Sequence, residues 1–310
     1  MQLVIDTDAG VDDAQAIIMA LTTPGVEVTA FTTVTGNVHV SHVNRNVFTV
    51  LDLMGKTAPV YPGADQPLLP GFWEPEERVH GQDGLGGCQG PARRHHRLES
   101  EPAAAALVRL ANERPGELTL VALGPLTNLA LACRLDPGFP AKIKQFVFMG
   151  GTMSGFGNTR NVTAEFNAFC DPEAGLITLE AFAEATMLCW ETTIQHPFSW
   201  EQYDRLAAID TPAGRFFRDS THATAAYIRQ FPQVRGYLLP DPLAMAIALD
   251  PALIQGCEHA YVTMEVQGTH TRGQTVIDRL GVLGRAPNTY VVTDLDTDGV
   301  YRMYERMLGA

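Results

Sequence analysis

Four carboxylates fall within eight residues near the start of the chain, in Asp6-Thr7-Asp8-Ala9-Gly10-Val11-Asp12-Asp13. Packed that closely they repel one another unless a cation compensates. Hard carboxylate oxygens converging on one place suit Ca²⁺ or Mg²⁺ and argue against a soft metal. Leu3-Val4-Ile5 just ahead reads as a buried strand, and the apolar spacing of Ala14, Ile17, Ile18 and Leu21 reads as the inner face of a helix that follows. The acids therefore occupy a strand-to-helix turn. In an open α/β sheet such a turn lies at the carboxyl ends of the strands, where ligands bind.

Asp12 and Asp13 also suit a helix N-terminus on electrostatic grounds, but capping accounts for only two of the four acids. A phosphatase of the haloacid dehalogenase type is a rival, since its strand ends in Asp-x-Asp with Asp6 as the nucleophile. That motif continues with x and then Thr or Val, and Gly10 stands at that last position here.

The elements that must position these acids follow from the whole chain. At 310 residues and 45% hydrophobic content, it can bury roughly three quarters of its unfolded surface and needs no disulfide staples. No linker, repeat or charge block divides it, so residues 1–310 read as one domain with long inserted loops near 62–100 and 150–170. The net charge of −13 repels nucleic-acid phosphates and anionic membrane surfaces alike, so neither is an expected partner. Cys88, Cys133, Cys170, Cys189 and Cys257 are odd in number and scattered, which fits reduced thiols. With no charged-then-apolar leader and no apolar run long enough to cross a bilayer, the expectation is a cytoplasmic protein.

Strands are expected at 26–34, from Val60, and at 118–122, 143–149, 186–190, 260–267 and 289–292. Helices are expected at 41–54, 103–114, 126–134, 172–182, 200–208, 214–230, 243–249 and 299–308. Residues 62–100 and 150–170 read as loops. The alternation predicts an α/β fold: an open, mostly parallel, Rossmann-like central sheet with helices on both faces and the site at the carboxyl ends of its strands. Polar residues fall where strands end: Asn37, the Leu123-Gly124 turn, the Asn158-to-Asn167 loop, and Asp241 before a helix.

Along nearly its whole length the chain resembles the nucleoside hydrolase family of the inosine-uridine type. The carriers are the acidic motif at 6–13, Thr33-Val34-Thr35-Gly36-Asn37, His80-Gly81-Gln82-Asp83-Gly84, and Leu123-Gly124-Pro125-Leu126-Thr127-Asn128. Met149-Gly150-Gly151, Ala164-Glu165-Phe166-Asn167, Asp171-Pro172-Glu173-Ala174 and Asp241-Pro242 follow in the right order. The resemblance implies hydrolysis of the N-glycosidic bond of ribonucleosides with a bound Ca²⁺. By match, Asp8, Asp13, Asp241 and the Leu123 carbonyl look like metal ligands, and Asp8 would also take the proton of the attacking water. Asp12, Asn37, Asn158, Glu165 and Asn167 would hold the ribose. A homodimer or homotetramer is implied too.

Taken singly these residues have ordinary readings: Asn37 as a left-handed turn residue, Asp241 as a helix start, Glu165 and Asn167 as surface loop polars. His95 and His96 read as part of a solvated loop. Asn158 and Asn161 compete for one ribose contact, and the reading takes Asn158. Family members place a histidine before the last metal-binding Asp, where it can protonate the departing base. Pro240 stands there and cannot donate a proton. Either another group serves, or the chain is a calcium-dependent nucleoside-binding protein with little turnover. Trp73, Phe72, Tyr227 and Tyr237 are candidates for stacking on the base, and His80 or His222 for the donor.

Overall fold

The computed structural model describes residues 1–70, 73–88 and 96–309. Its strands are β1 (Gln2–Thr7), β2 (Glu27–Thr33), β3 (Val60–Tyr61), β4 (Leu118–Ala122), β5 (Gln145–Met149), β6 (Ala185–Leu188), β7 (Phe198–Ser199), β8 (Gly236–Tyr237), β9 (Ile254–Met264), β10 (Thr275–Asp278) and β11 (Thr289–Leu295). The helices are α1 (Val11–Thr22), α2 (Val40–Leu53), α3 (Glu77–His80), α4 (Ala103–Glu113), α5 (Thr127–Leu135), α6 (Phe166–Cys170), α7 (Pro172–Ala181), α8 (Trp190–Gln195), α9 (Trp200–Ala207), α10 (Pro212–Ile228), α11 (Pro240–Leu249) and α12 (Thr297–Gly309).

The main sheet runs β10-β9-β11-β6-β5-β4-β1-β2-β3. From β3 to β11 every pairing is parallel, while β9 runs antiparallel to β11 and β10 antiparallel to β9. Successive residues point to opposite faces of a strand, and the two apolar clusters sort accordingly. Leu3, Ile5, Val121, Val147 and Met149 pack with α1, α10, α11 and α12 on one face. Val4, Leu120, Ala122, Phe146 and Phe148 pack with α4, α5 and α7 on the other. The expected α/β architecture with helices on both faces is therefore present, and the central strands are buried on both sides, as their unbroken apolar runs require.

From β1 the chain steps outward to β2 and β3, then returns to place β4 on the other side of β1. The strand order thus reverses between β1 and β4, and such a reversal opens a crevice at the carboxyl ends of the strands. Asp6 pairs with Ala122 across that gap and with Thr32 on the other side, so the residues just beyond β1, β2 and β4 share one edge.

Several sequence expectations need correction. The stretch read as a loop to Cys170 closes in helix α6, and the loop near 62–100 holds the short helix α3. Asp241 does not precede a helix: α11 begins at Pro240, so Asp241 lies in its first turn. Strand β10 was missed because its Thr-Val-Ile-Asp run is short and sits on the sheet edge. Among the described residues no helix is long and apolar enough to cross a membrane, and all five cysteines are free thiols.

Candidate active site

The turn after β1 is tight. Ala9 takes a left-handed conformation, φ 34°, held by its N–H on Thr7 Oγ1 (3.0 Å) and by Asn46 Nδ2 on its carbonyl (3.0 Å). A non-glycine residue in that region is strained and persists only where its surroundings fix it. The turn aims Asp8 across the sheet edge and starts α1 at Gly10, whose N–H donates to Asp13 Oδ2 (2.8 Å). Thr7 Oγ1 donates to Asp13 Oδ1, and Asn37 Nδ2 to Asp13 Oδ2 (3.1 Å). Asp13 is therefore rigidly held by three donors.

Asp8 is less well served. Its Oδ2 accepts the Asn37 N–H (2.7 Å), while Oδ1 is buried with no hydrogen-bond partner. Asp241, brought in by α11, is buried beside it. Asp12, Asp13 and Asp241 each offer a carboxylate oxygen within 4.8 Å of the others. Burial, and after it the charge of Asp13, raises the Asp8 carboxyl well above its ordinary range. Burial and the charges of Asp12, Asp13 and Asp8 do the same to Asp241, and Asp12 rises to about 7 through burial and Asp13. No Lys or Arg among the described residues relieves this crowding, and the expected ligand Asp8 lies outside the tightest triplet. A desolvated cluster with an unsatisfied oxygen fits a hard divalent cation, which supplies the charge that the side chains lack.

Asp6 sits beneath. It is wholly buried, with Oδ1 accepting from Thr32 Oγ1 (2.5 Å) and Asn128 Nδ2 (2.8 Å). Its Oδ2, like Oδ1 of Asp8, is buried without a hydrogen-bond partner. Asn128 also donates to the Thr33 carbonyl and accepts from the Ala64 N–H, so it ties β1, β2 and α5 together. Asn128 closes the Leu123-to-Asn128 motif, yet no short window of sequence shows this role, since its partners lie 64 to 122 residues away.

The β2 side closes on this cluster through glycines. A Cβ on Gly36 would stand 2.0 Å from Asp8 Oδ2, and one on Gly10 would stand 2.5 Å from both Asn37 Nδ2 and His80 Nδ1. Asn37 has no positive φ. The turn-residue reading fails, because its Nδ2 is engaged with Asp13. His80, on α3, is buried with Nδ1 accepting the Val11 N–H (3.1 Å) and lies 3.7 Å from Asp12. Burial lowers its pKa to about 4, so the ring is neutral near pH 7 and carries its hydrogen on Nε2. Trp73 donates Nε1–H to the Gly36 carbonyl (2.5 Å), and the Glu76 N–H donates to the Asn37 carbonyl (3.1 Å).

On the β4 and β5 side, Glu165 caps α6. It accepts the N–H groups of Asn167 (2.8 Å), Gly151 (2.9 Å) and Ala168 (3.1 Å), and burial raises its pKa to about 7 against those bonds. Asn167 Nδ2 donates to the carbonyls of Leu123 (2.7 Å) and Met149 (3.2 Å). Both side chains are buried, which overturns the surface-polar reading. Asn161 Nδ2 is spent on the Arg272 carbonyl (2.5 Å) and its Oδ1 on Thr159 and Ala164. Asn158 is exposed, with its N–H on the Ala164 carbonyl (3.2 Å) next to Glu165.

The aromatic candidates separate. Tyr237 is 1% exposed, packed against Tyr203 and Phe217 with Gln15 Nε2 donating to its hydroxyl, so it belongs to the core and not to a base platform. Tyr227 is half-buried on α10 against Phe231, and His222 is exposed on the same helix. Phe72 and His95 lie outside the described residues. His96 is not a solvated loop residue, because it stacks on Phe48 and meets Asp52 at 2.7 Å.

Known proteins share this fold and much of this sequence. Residues 3–302 match the model of the inosine-uridine preferring nucleoside hydrolases. Uridine nucleosidase 1 of Arabidopsis thaliana is 34% identical over 279 residues, covering 90% of this chain and 82% of that protein. The non-specific ribonucleoside hydrolase RihC of Salmonella typhimurium is 34% identical over 302 residues, covering 96% and 94%. An inosine-guanosine nucleoside hydrolase superposes with a TM-score of 0.91 at 33% identity over 99% of this chain and 98% of that one. A purine-preferring ribonucleoside hydrolase from Gardnerella vaginalis gives 0.91 at 29% identity over 100% and 98%. Sequence motifs, strand order and whole-chain superposition agree: the chain belongs to the inosine-uridine preferring nucleoside hydrolase family, and it is an N-ribosyl hydrolase acting on ribonucleosides.

Proposed function

We propose that residues 1–310 act as one Ca²⁺-dependent ribonucleoside hydrolase, with Asp8, Asp13, Asp241 and the Leu123 carbonyl holding the ion. The observation that carries this reading is the buried, unpartnered Oδ1 of Asp8 beside the mutually close carboxylates of Asp12, Asp13 and Asp241. The chemistry such an ion supplies is Lewis acidity, which makes water nucleophilic at neutral pH and orients sugar hydroxyls.

The protein's own groups do the rest. Asp8 Oδ1, free of hydrogen bonds, accepts the proton of the attacking water. Asp12, Asn37, Asn158, Glu165 and Asn167 hold the ribose. A carboxylate has about four lone-pair sites. Glu165 has three in use, which leaves one for a sugar hydroxyl. These oxygens stabilise the positive charge that develops on an oxocarbenium-like sugar. With Pro240 unable to donate, the neutral His80 offers Nε2–H to the departing base, and Trp73 and Tyr227 flank it. His222, exposed on α10, is the weaker donor. The substrate is a small neutral ribonucleoside, which the acidic chain does not repel.

The free cysteines agree with a cytoplasmic setting, and the family resemblance supports a homodimer or homotetramer. The test is release of reducing sugar from purine, pyrimidine and modified ribonucleosides with added calcium and after exhaustive chelation. Calcium-dependent release is expected; full activity in chelator would overturn the metal assignment.

A further inference from the structure

The loop between β5 and α6 exposes Asn158, whose N–H meets the Ala164 carbonyl next to Glu165, and its tip has little apolar burial to hold it. Phe156 and Val162 face solvent at 61% and 66% exposure. Val162, a β-branched residue, sits at φ 66°, a conformation that must be imposed by its surroundings. Its backbone is held within the loop by its N–H on the Thr159 carbonyl (2.9 Å) and by the Gly157 N–H on its own carbonyl (2.9 Å), and the two limbs are tied to the rest of the fold. The returning limb is fixed on the β9–β10 hairpin, by Asn161 on the Arg272 carbonyl and Thr163 Oγ1 on the His270 carbonyl. Arg272 is itself held by a double contact with Glu173 (2.7 and 2.7 Å).

The outgoing limb has a different anchor. Glu191, in the first turn of α8 and buried, accepts from Met153 N (2.7 Å), Ser154 N (2.8 Å), Ser154 Oγ (3.1 Å) and Phe156 N (3.2 Å). Four donors from three residues of one loop on a single desolvated carboxylate make a charge-assisted clamp, which is stronger than neutral hydrogen bonds. The exposed Arg160–Glu74 pair (2.7 Å) at the loop tip contributes little beside it.

We propose that Glu191 is a positioning residue for ribose recognition: by clamping residues 153–156 it sets where Asn158 stands relative to Glu165. This rests on the assignment of Asn158 to the ribose made above. Nothing in the sequence motif points to Glu191, since it follows β6, far along the chain from the loop it holds. Its carboxylate oxygens are taken by the loop.

The test is a double-mutant cycle of Glu191→Gln and Asn158→Ala in the full chain with calcium present, read as kcat/KM for inosine and for uridine. The amide of Glu191→Gln, in either orientation, turns an N–H₂ toward a backbone N–H, so the loop must shift while the volume is kept. Each single change is expected to lower kcat/KM about tenfold, equally for both bases, and the double variant is expected to fall no further than about twofold below Asn158→Ala. Calcium affinity measured by calorimetry should be unchanged. A merely structural Glu191 would lower the melting temperature and leave kcat/KM per folded site intact, which would overturn the proposal. Additive losses would also overturn it. If Asn158→Ala alone has no effect, the ribose assignment of Asn158 fails and the proposal with it; if Asn158→Ala is impaired and Glu191→Gln is not, only the proposal fails. Should Glu191→Gln not fold, Ser154→Ala removes one donor, and its expected loss of about threefold is read in the same cycle.

Discussion

Two groups of buried carboxylates face each other across the carboxyl edge of the sheet, and they are built in opposite ways. Beside β1, Asp8, Asp12, Asp13 and Asp241 crowd together with an oxygen that no donor reaches. Beyond β5, Glu165 and Glu191 are also buried, at 2% and 8% exposure, and each gathers three or four donors, from the backbone and one hydroxyl, a number that only Asp13 reaches in the first group. A buried carboxylate held by several N–H groups shapes the chain around it. One that is unsaturated and next to its own kind needs a cation.

The sharpest way to break this contrast is Asp8→Asn. The amide can keep its acceptor on the Asn37 N–H and place its N–H₂ where Oδ1 now stands unpaired. Turnover is expected to fall by about 10²–10⁴, the usual worth of a general base. Without metal, the variant should melt higher than the parent, because a repelling charge is gone while the fold keeps its bonds. A lower melting temperature in chelator would show that Asp8 is better satisfied than its geometry indicates.

Asn167→Ala comes next. The side chain joins the Leu123 carbonyl just past β4 and the Met149 carbonyl at the end of β5. Its removal is expected to lower kcat/KM about tenfold, with the same factor for purine and pyrimidine nucleosides, since the residue is placed on the sugar. A loss confined to one base would contradict that role.

The contrast also explains what the sequence could and could not reveal. The acids at 6–13 were legible because metal-binding and capping residues cluster locally, and the strand-helix alternation around them fixes which edge they share. Glu165 and Asn167 were recognisable only through the motif order, since their burial depends on α6, a five-residue helix too short for periodicity to show. Asn37 taken singly reads as a turn residue, because its partner, Asp13, lies 24 residues away, and only the motif order marks it for the ribose. Glu191 and Asn128 left no local signal, as their partners lie 35 to 38 residues and up to 122 residues distant. The edge strand β10 and the place of Tyr237 in the core likewise depend on packing that no short window of sequence contains.

A smaller effect tests whether three backbone donors offset burial at Glu165. Its pKa is raised from 4.5 to about 7, so the folded protein holds that proton more tightly than the unfolded chain. The resulting stability is full below about pH 4.5 and is lost as pH rises through about 7. Denaturant midpoints in chelator should therefore fall between pH 5 and 8 more steeply in the parent than in Glu165→Gln, the difference being on the order of 2–3 kcal/mol. Equal slopes would mean that the donors cancel the burial.

The smallest change separates core from site. Tyr237 was a candidate platform for the base, but it is enclosed by Tyr203 and Phe217, and its hydroxyl accepts from Gln15, which Tyr304 also engages (2.7 Å). Removing the hydroxyl in Tyr237→Phe keeps the ring and leaves one Gln15 hydrogen without that acceptor, while Gln15 Nε2 retains the Val11 carbonyl (3.0 Å). A loss of about 1 kcal/mol in unfolding free energy is expected, the net worth of one buried hydrogen bond. The ratio of kcat/KM for inosine and uridine should not move, because the ring reaches neither base nor sugar. A shifted ratio at unchanged stability would place Tyr237 at the base after all, and would make the apolar cluster around α10 and α11 part of the specificity pocket instead of its support.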